Sequence, residues 1–181
     1  MIFSVEMKKA CSIISVVVLL ACFWINVSAA SALPKGVIEV SPPTVALPLK
    51  LANMDGKVTD LKDYAGHWVM VHFWAGWCGP CRRELPTLDR MAAQLVPGTI
   101  QLVMVNAAEN EDDVFVFLGG TAPNLDTLLD KDGVVTNAWQ PRGLPSTFFI
   151  DPKQRVRYVA LGGREWDTKP YLDFVRSLSS R

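Results

Sequence analysis

Polar and apolar positions fall into blocks of different period, and those periods predict most of the elements. Val69 to Trp74 is a near-continuous apolar and β-branched run that breaks at Gly76, the pattern of a strand buried on both faces. Beyond Gly79-Pro80 the period lengthens. Leu85, Leu88, Ala92 and Leu95 recur at helical spacing, which predicts a helix with one buried face, kinked at Pro86 and stopped by Pro97-Gly98. Ile100 to Val105 is a second apolar run. Strand, helix and strand with both strands buried make a βαβ unit, so these strands are expected to be parallel.

Around this unit the patterns are shorter. Leu49 to Ala52 and Lys57 to Thr59 flank Asn53-Met54-Asp55-Gly56, where Asp-Gly supplies hairpin turn chemistry. Asn106 to Asp113 is a polar, acidic loop opening a helix, on which Val114, Phe117 and Leu118 share a face before Gly119-Gly120 ends it. Thr127 to Leu129 suggests a small strand, and Val134 to Trp139 a helical turn or two. Thr147 to Ile150 and Val156 to Leu161 form a hairpin across Asp151-Pro152-Lys153-Gln154. A last helix spans about Pro170 to Leu178, capped by Asp167 or Thr168. The sum is an α/β fold: a central mixed β-sheet with helices on both faces and an N-terminal β-hairpin.

The N-terminal pattern differs again. Met7-Lys8-Lys9 precedes an apolar stretch from Ala10 to Val27, a positive flank before a hydrophobic run. Met1 to Glu6 adds nothing recognisable to a signal, which leaves Met1 and Met7 both open as starts. Three fates stay open for residues 1–32: cleavage as a secretory signal near Ala30-Ser31-Ala32, retention as a membrane anchor, or lipidation of Cys22 after Leu19-Leu20-Ala21, which resembles a bacterial lipobox. All three export the chain from Leu33 onward, because Lys8 and Lys9 hold the N-terminus inside. Leu33 to Pro48 is proline-rich and aperiodic, so residues 33–47 read as a tether and 48–181 as the folded domain.

Composition narrows the function. The 181 residues carry 18 basic and 18 acidic side chains, a zero balance that gives no electrostatic reason to propose a nucleic-acid partner. The four cysteines form two unlike pairs, Cys11 and Cys22 in the leader and Cys78 and Cys81 as a C-x-x-C. Cys78 and Cys81 fall where the first buried strand gives way to its helix. Unpaired N–H groups and the helix dipole at that N-terminus favour a thiolate, and one turn at this spacing can close a disulfide. Half of a zinc site is the competing reading, but zinc wants four ligands. Only His67 and His72 are at hand, and His72 sits in a buried strand. No metal and no cofactor are expected. Disulfide exchange needs an attacking thiolate and a resolving thiol: Cys78 at the helix start is the expected nucleophile, Cys81 the more buried resolver.

Trp77-Cys78-Gly79-Pro80-Cys81 matches the thioredoxin active-site motif. Phe73-Trp74-Ala75 before it, Arg82-x-Glu84-x-Pro86 after it, and Gly143-x-Pro145-x-Thr147-Phe148-x-Ile150-Asp151 extend the likeness. The chain resembles the exported TlpA/ResA-like branch of the thioredoxin superfamily over about Pro48 to Leu178, including an insertion after the βαβ unit. The resemblance implies a thioredoxin fold and a thiol–disulfide oxidoreductase. It also implies a cis-proline at Pro145 that presents the backbone of Leu144 beside Cys78, so that an extended client can add as a short strand. Trp77, Gly79 and Pro80 complete that substrate-binding surface. The Gly79-Pro80 dipeptide resembles reducing rather than oxidising members. Glu84 matches a family glutamate thought to tune the thiols, and otherwise is an ordinary exposed helix residue. His72 stands six residues before Cys78, where cytoplasmic thioredoxins carry a buried aspartate; it is either a proton acceptor for Cys81 or a core histidine. Arg82 and Arg83 raise the local positive potential, whereas Glu109 to Asp113 reads as a solvated acidic loop.

Implied partners are disulfide-containing clients, such as apocytochrome c or copper-site assembly proteins, and a membrane thiol reductase that supplies electrons. The implied location is the bacterial periplasm, tethered to the inner membrane by the N-terminal segment, with cleaved and lipidated forms as alternatives. Two other functions compete: a disulfide-donating oxidase or isomerase, and a non-catalytic haem or metal chaperone.

Overall fold

The computed structural model describes residues 32–179. Its strands are β1 (Val37–Val45), β2 (Lys50–Ala52), β3 (Val58–Asp60), β4 (Val69–Trp74), β5 (Gln101–Ala107), β6 (Leu128–Asp130), β7 (Ser146–Ile150) and β8 (Arg155–Leu161). Its helices are α1 (Gly79–Ala92), α2 (Glu111–Thr121), α3 (Val134–Trp139) and α4 (Lys169–Leu178), with a 3₁₀ turn at Leu61–Tyr64. The leader expected over residues 1–32, with Cys11 and Cys22, lies outside the described residues save Ala32. Among the described residues no helix is long and apolar enough to cross a membrane.

Six strands form one sheet in the order β1-β8-β7-β4-β5-β6. Strand β4 is buried throughout and lies parallel to β5, as the βαβ pattern requires, and antiparallel to β7. Its alternating side chains divide the core. Met70 and Trp74 join the helices, packing with Cys81, Leu85 and Leu88 of α1 and with Phe174 and Val175 of α4. Val69, Val71 and Phe73 face the other way, toward Leu49, Leu61 and Trp139 of α3. Helices therefore cover both faces, and β4 delivers its C-terminal end to the site between them. The β2–β3 hairpin stands apart as a two-stranded sheet and touches the main sheet through an Asn53–Leu128 bridge.

Two expectations need correction. Residues 37–45, read as part of a tether, form the edge strand β1, antiparallel to β8. The pairing register breaks between Glu39 and Thr44, around Pro42 and Pro43. Those prolines hid the alternation, and an edge strand tolerates them because it needs ladder bonds on one side only. Helix α2 runs through Gly119-Gly120 to Thr121 rather than ending there; both glycines are solvent-exposed, so they weaken the helix without breaking it.

Candidate functional site

The turn from β4 into α1 builds the site. After Trp74 the chain leaves the sheet, Cys78 N–H donates to the Ala75 carbonyl, and Cys78 takes the extended conformation of a helix cap. Its sulfur accepts from Cys81 N–H at 3.2 Å, so the cysteine itself satisfies one of the free donors at the helix start. Pro80 occupies the first turn, where a missing N–H costs nothing. Cys78 and Cys81 are joined as a disulfide with Cα atoms 5.2 Å apart. They are not equally shielded: Cys78 retains 6% of its surface and Cys81 none.

A second arm approaches from β7. The Leu144–Pro145 peptide is cis, and the Pro145 carbonyl accepts from Gly162 N–H of the β8–α4 loop at 2.9 Å. Among the described residues nothing bonds the N–H or carbonyl of Leu144. Leu144, Gly143 and Gln140 line an open groove with Trp77, which is 68% exposed. Trp74, by contrast, is core: its indole N–H donates to Thr127 Oγ1, and its ring packs on Phe117. Gly163 closes the opposite side, where a Cβ would meet the Pro80 carbonyl at 3.2 Å. The site thus brings together Trp77, Cys78, Gly79, Pro80 and Cys81, with Leu144 and Pro145 on the neighbouring arm of the Trp77 groove.

Behind the disulfide lies a titratable pair. Glu84 falls on the buried face of α1 with Cys81 and is 2% exposed, rather than on the solvent side. Its Oε1 accepts from the Trp166 indole N–H, while Oε2 is buried with no partner among the described residues. Burial pushes the Glu84 carboxyl up to about 8, against the opposing pull of the Trp166 bond and the Arg164 charge. His72 is fully buried, with Nδ1 2.9 Å from Thr147 Oγ1. Burial, helped by Arg164, pulls its pKa down to about 3. A ring that basic only in acid is a poor proton acceptor near neutrality, whereas a carboxyl near 8 is well matched to a thiol.

One contributor escaped the sequence reading. Glu109, expected in a solvated loop, is half-buried beneath the turn that precedes the cysteines. Its Oε2 accepts from Gly76 N–H and from Asn106 Nδ2, each at 2.6 Å. Arg82 holds the other side of the same residue, donating to the Gly76 carbonyl at 3.4 Å with its guanidinium 4.9 Å from the Phe117 ring centre. The only signal was Gly76 itself, which could not say what pressed on it.

The AhpC/TSA family model matches residues 43–159. Over 112 residues the chain is 32% identical to the thiol-disulfide oxidoreductase ResA of Bacillus subtilis, covering 62% of this chain and 63% of that relative's length. Among solved structures, a candidate thiol:disulfide interchange protein DsbE of Chlorobium tepidum superposes with a TM-score of 0.67 at 28% identity, over 82% of this chain and 99% of that one. The exposed lipoprotein thioredoxin of Streptococcus pneumoniae gives 0.62 at 28% identity, over 73% and 100%. These neighbours share the expected thioredoxin-like architecture.

Proposed function

The chain belongs to the AhpC/TSA family, and on that premise we propose that it is a thiol–disulfide oxidoreductase of the ResA/DsbE type, working as a reductant of client proteins. One observation carries the reading: an asymmetrically shielded Cys78–Cys81 pair caps a helix beside the Leu144–Pro145 arm. In the reduced protein the Cys78 thiolate attacks a client disulfide, forming a mixed disulfide and releasing one client thiolate, which takes up a proton. Glu84 accepts the proton of Cys81; the Cys81 thiolate then attacks Cys78 Sγ, releasing the second client thiolate. The client gains two electrons and two protons, and the enzyme is left oxidised. The free backbone of Leu144 pairs with the client as a short strand, with Trp77, Gly79 and Pro80 around it.

In an oxidising compartment the disulfide needs a continuous electron source, which fits export of residues 33–181 and recharging by a membrane thiol reductase. Clients bearing paired cysteines, such as apocytochrome c or a copper-site assembly protein, suit a site that reads main chain rather than side chain. The test is the reduction potential of residues 33–181 in glutathione buffers, together with insulin reduction by dithiothreitol. A value around −270 mV with catalysed insulin reduction is expected. One around −120 mV would make the protein a disulfide donor, and absence of turnover would make it a binding protein; either overturns the proposal.

A further inference from the structure

The turn that presents Cys78 is fixed from below by a carboxylate. Glu109 Oε2 accepts two hydrogen bonds at 2.6 Å, from Gly76 N–H and Asn106 Nδ2. Its Oε1 lies 2.9 Å from where a Gly76 Cβ would stand, so the carboxylate lies against the backbone two residues before Cys78 and would have to shift to admit a larger residue there. Asn106 ends the parallel ladder with β4, opposite Trp74, so Glu109 is braced against the sheet. Other charges surround the dithiol. Arg82 and Arg83 lie on α1 and Glu84 lies behind Cys81; Arg164 follows Gly163, and Asp132 lines the Trp77 groove. The two α1 arginines, Arg164 and the helix dipole favour a thiolate on Cys78; Glu109 is the carboxylate bonded to its turn, and it opposes them.

We propose that Glu109 is a positioning residue for the dithiol, one that both anchors the Gly76 turn and sets the redox poise of Cys78 toward the reducing end through its fixed negative charge. The inference rests on the oxidoreductase reading and supplies what that reading lacked, a local reason for a reductant. A charge placed behind the thiolate destabilises the reduced, ionised form relative to the disulfide. Removing it stabilises the thiolate and makes the pair easier to reduce.

Glu109→Gln keeps an acceptor for Gly76 N–H and removes the charge, whereas Glu109→Ala removes both. In glutathione buffers, Glu109→Gln is expected to shift the dithiol equilibrium about tenfold toward the reduced form, an upward shift of about 30 mV. The Cys78 thiol, followed by its rate of alkylation against pH, should titrate lower than in the wild type. If Glu109→Gln matches the wild type in both readouts, Glu109 is only a prop and the inference falls, even if Glu109→Ala is unfolded or slow. A shift of the opposite sign also overturns it. Failure of the wild type to turn over insulin would instead overturn the functional reading, so the two failures are separable.

Discussion

Glu84 shows how one side chain changes meaning with its surroundings. Three residues after Cys81 it shares the cysteine's helix face, a relation visible in the sequence. Its burial against Trp166 was not, because that partner comes from 82 positions away. The consequence is kinetic. With its carboxyl up near 8, Glu84 accepts the Cys81 proton only once ionised, so the resolving step should accelerate as pH rises through about 8. Glu84→Gln keeps the shape and loses that limb, with resolution slowed about 100-fold. Stopped-flow decay of a preformed mixed disulfide measures it, and an unchanged limb in the variant would assign the proton to another group. Glu109 was illegible for the same reason as Trp166. A short acidic run looks solvated in any sequence, and only the fold reveals that one member lies under a glycine.

At the scale of elements, periodicity served wherever an element is buried on a regular face. Strands β4 and β5, helix α1 and the β7–β8 hairpin all announce themselves as apolar runs or spacings, because burial dictates composition there. Strand β1 did not, since its prolines conceal a ladder that needs only one side. The junction between α1 and the β8–α4 loop was equally silent, and one hydroxyl stitches it beside the Glu84–Trp166 bond. Thr87 Oγ1 faces the Glu84 and Arg164 carbonyls at 2.7 and 3.3 Å and accepts from Trp166 N–H at 3.0 Å. Thr87→Val preserves the volume but strands the buried Trp166 N–H, which should cost about 2 kcal/mol in urea denaturation. The variant should also move the Glu84-dependent limb, since Trp166 is the Glu84 partner. A loss under about 0.5 kcal/mol would mean that the loop finds another acceptor.

For the whole molecule, the buried pair sets how stability depends on pH. Unfolded, glutamate titrates near 4.5 and histidine near 6.5; folded, Glu84 moves to about 8 and His72 to about 3. Between 4.5 and 8 the folded state holds the extra proton at Glu84, so stability falls as pH rises. Between 3 and 6.5 the unfolded state holds the extra proton at His72, so stability falls as pH drops. Each slope is about 1.4 kcal/mol per pH unit. They cancel from 4.5 to 6.5, giving a plateau with losses of about 2 kcal/mol by pH 8 and by pH 3. Asp151 steepens the acid side. Burial alone would raise its pKa, but its bonds to Arg155 outweigh that and hold it below the usual value of 3.8. Its contribution is present above 3.8 and disappears as pH falls through the lowered value. Urea denaturation of the oxidised protein from pH 3 to 9 should trace this curve, and Glu84→Gln should flatten its alkaline side. A wild type with no loss from 6.5 to 8 would refute the buried-carboxyl account. The broken register of β1 has a consequence at this scale as well. An unpaired outer edge is a template on which another chain can stack, and fibrils grow from such edges. Pro42 and Pro43 carry no N–H to offer and bulge the strand where stacking would begin. Pro42→Thr with Pro43→Val would return the missing N–H groups and let the strand straighten, and concentrated solutions of the variant should turn turbid while the wild type stays clear.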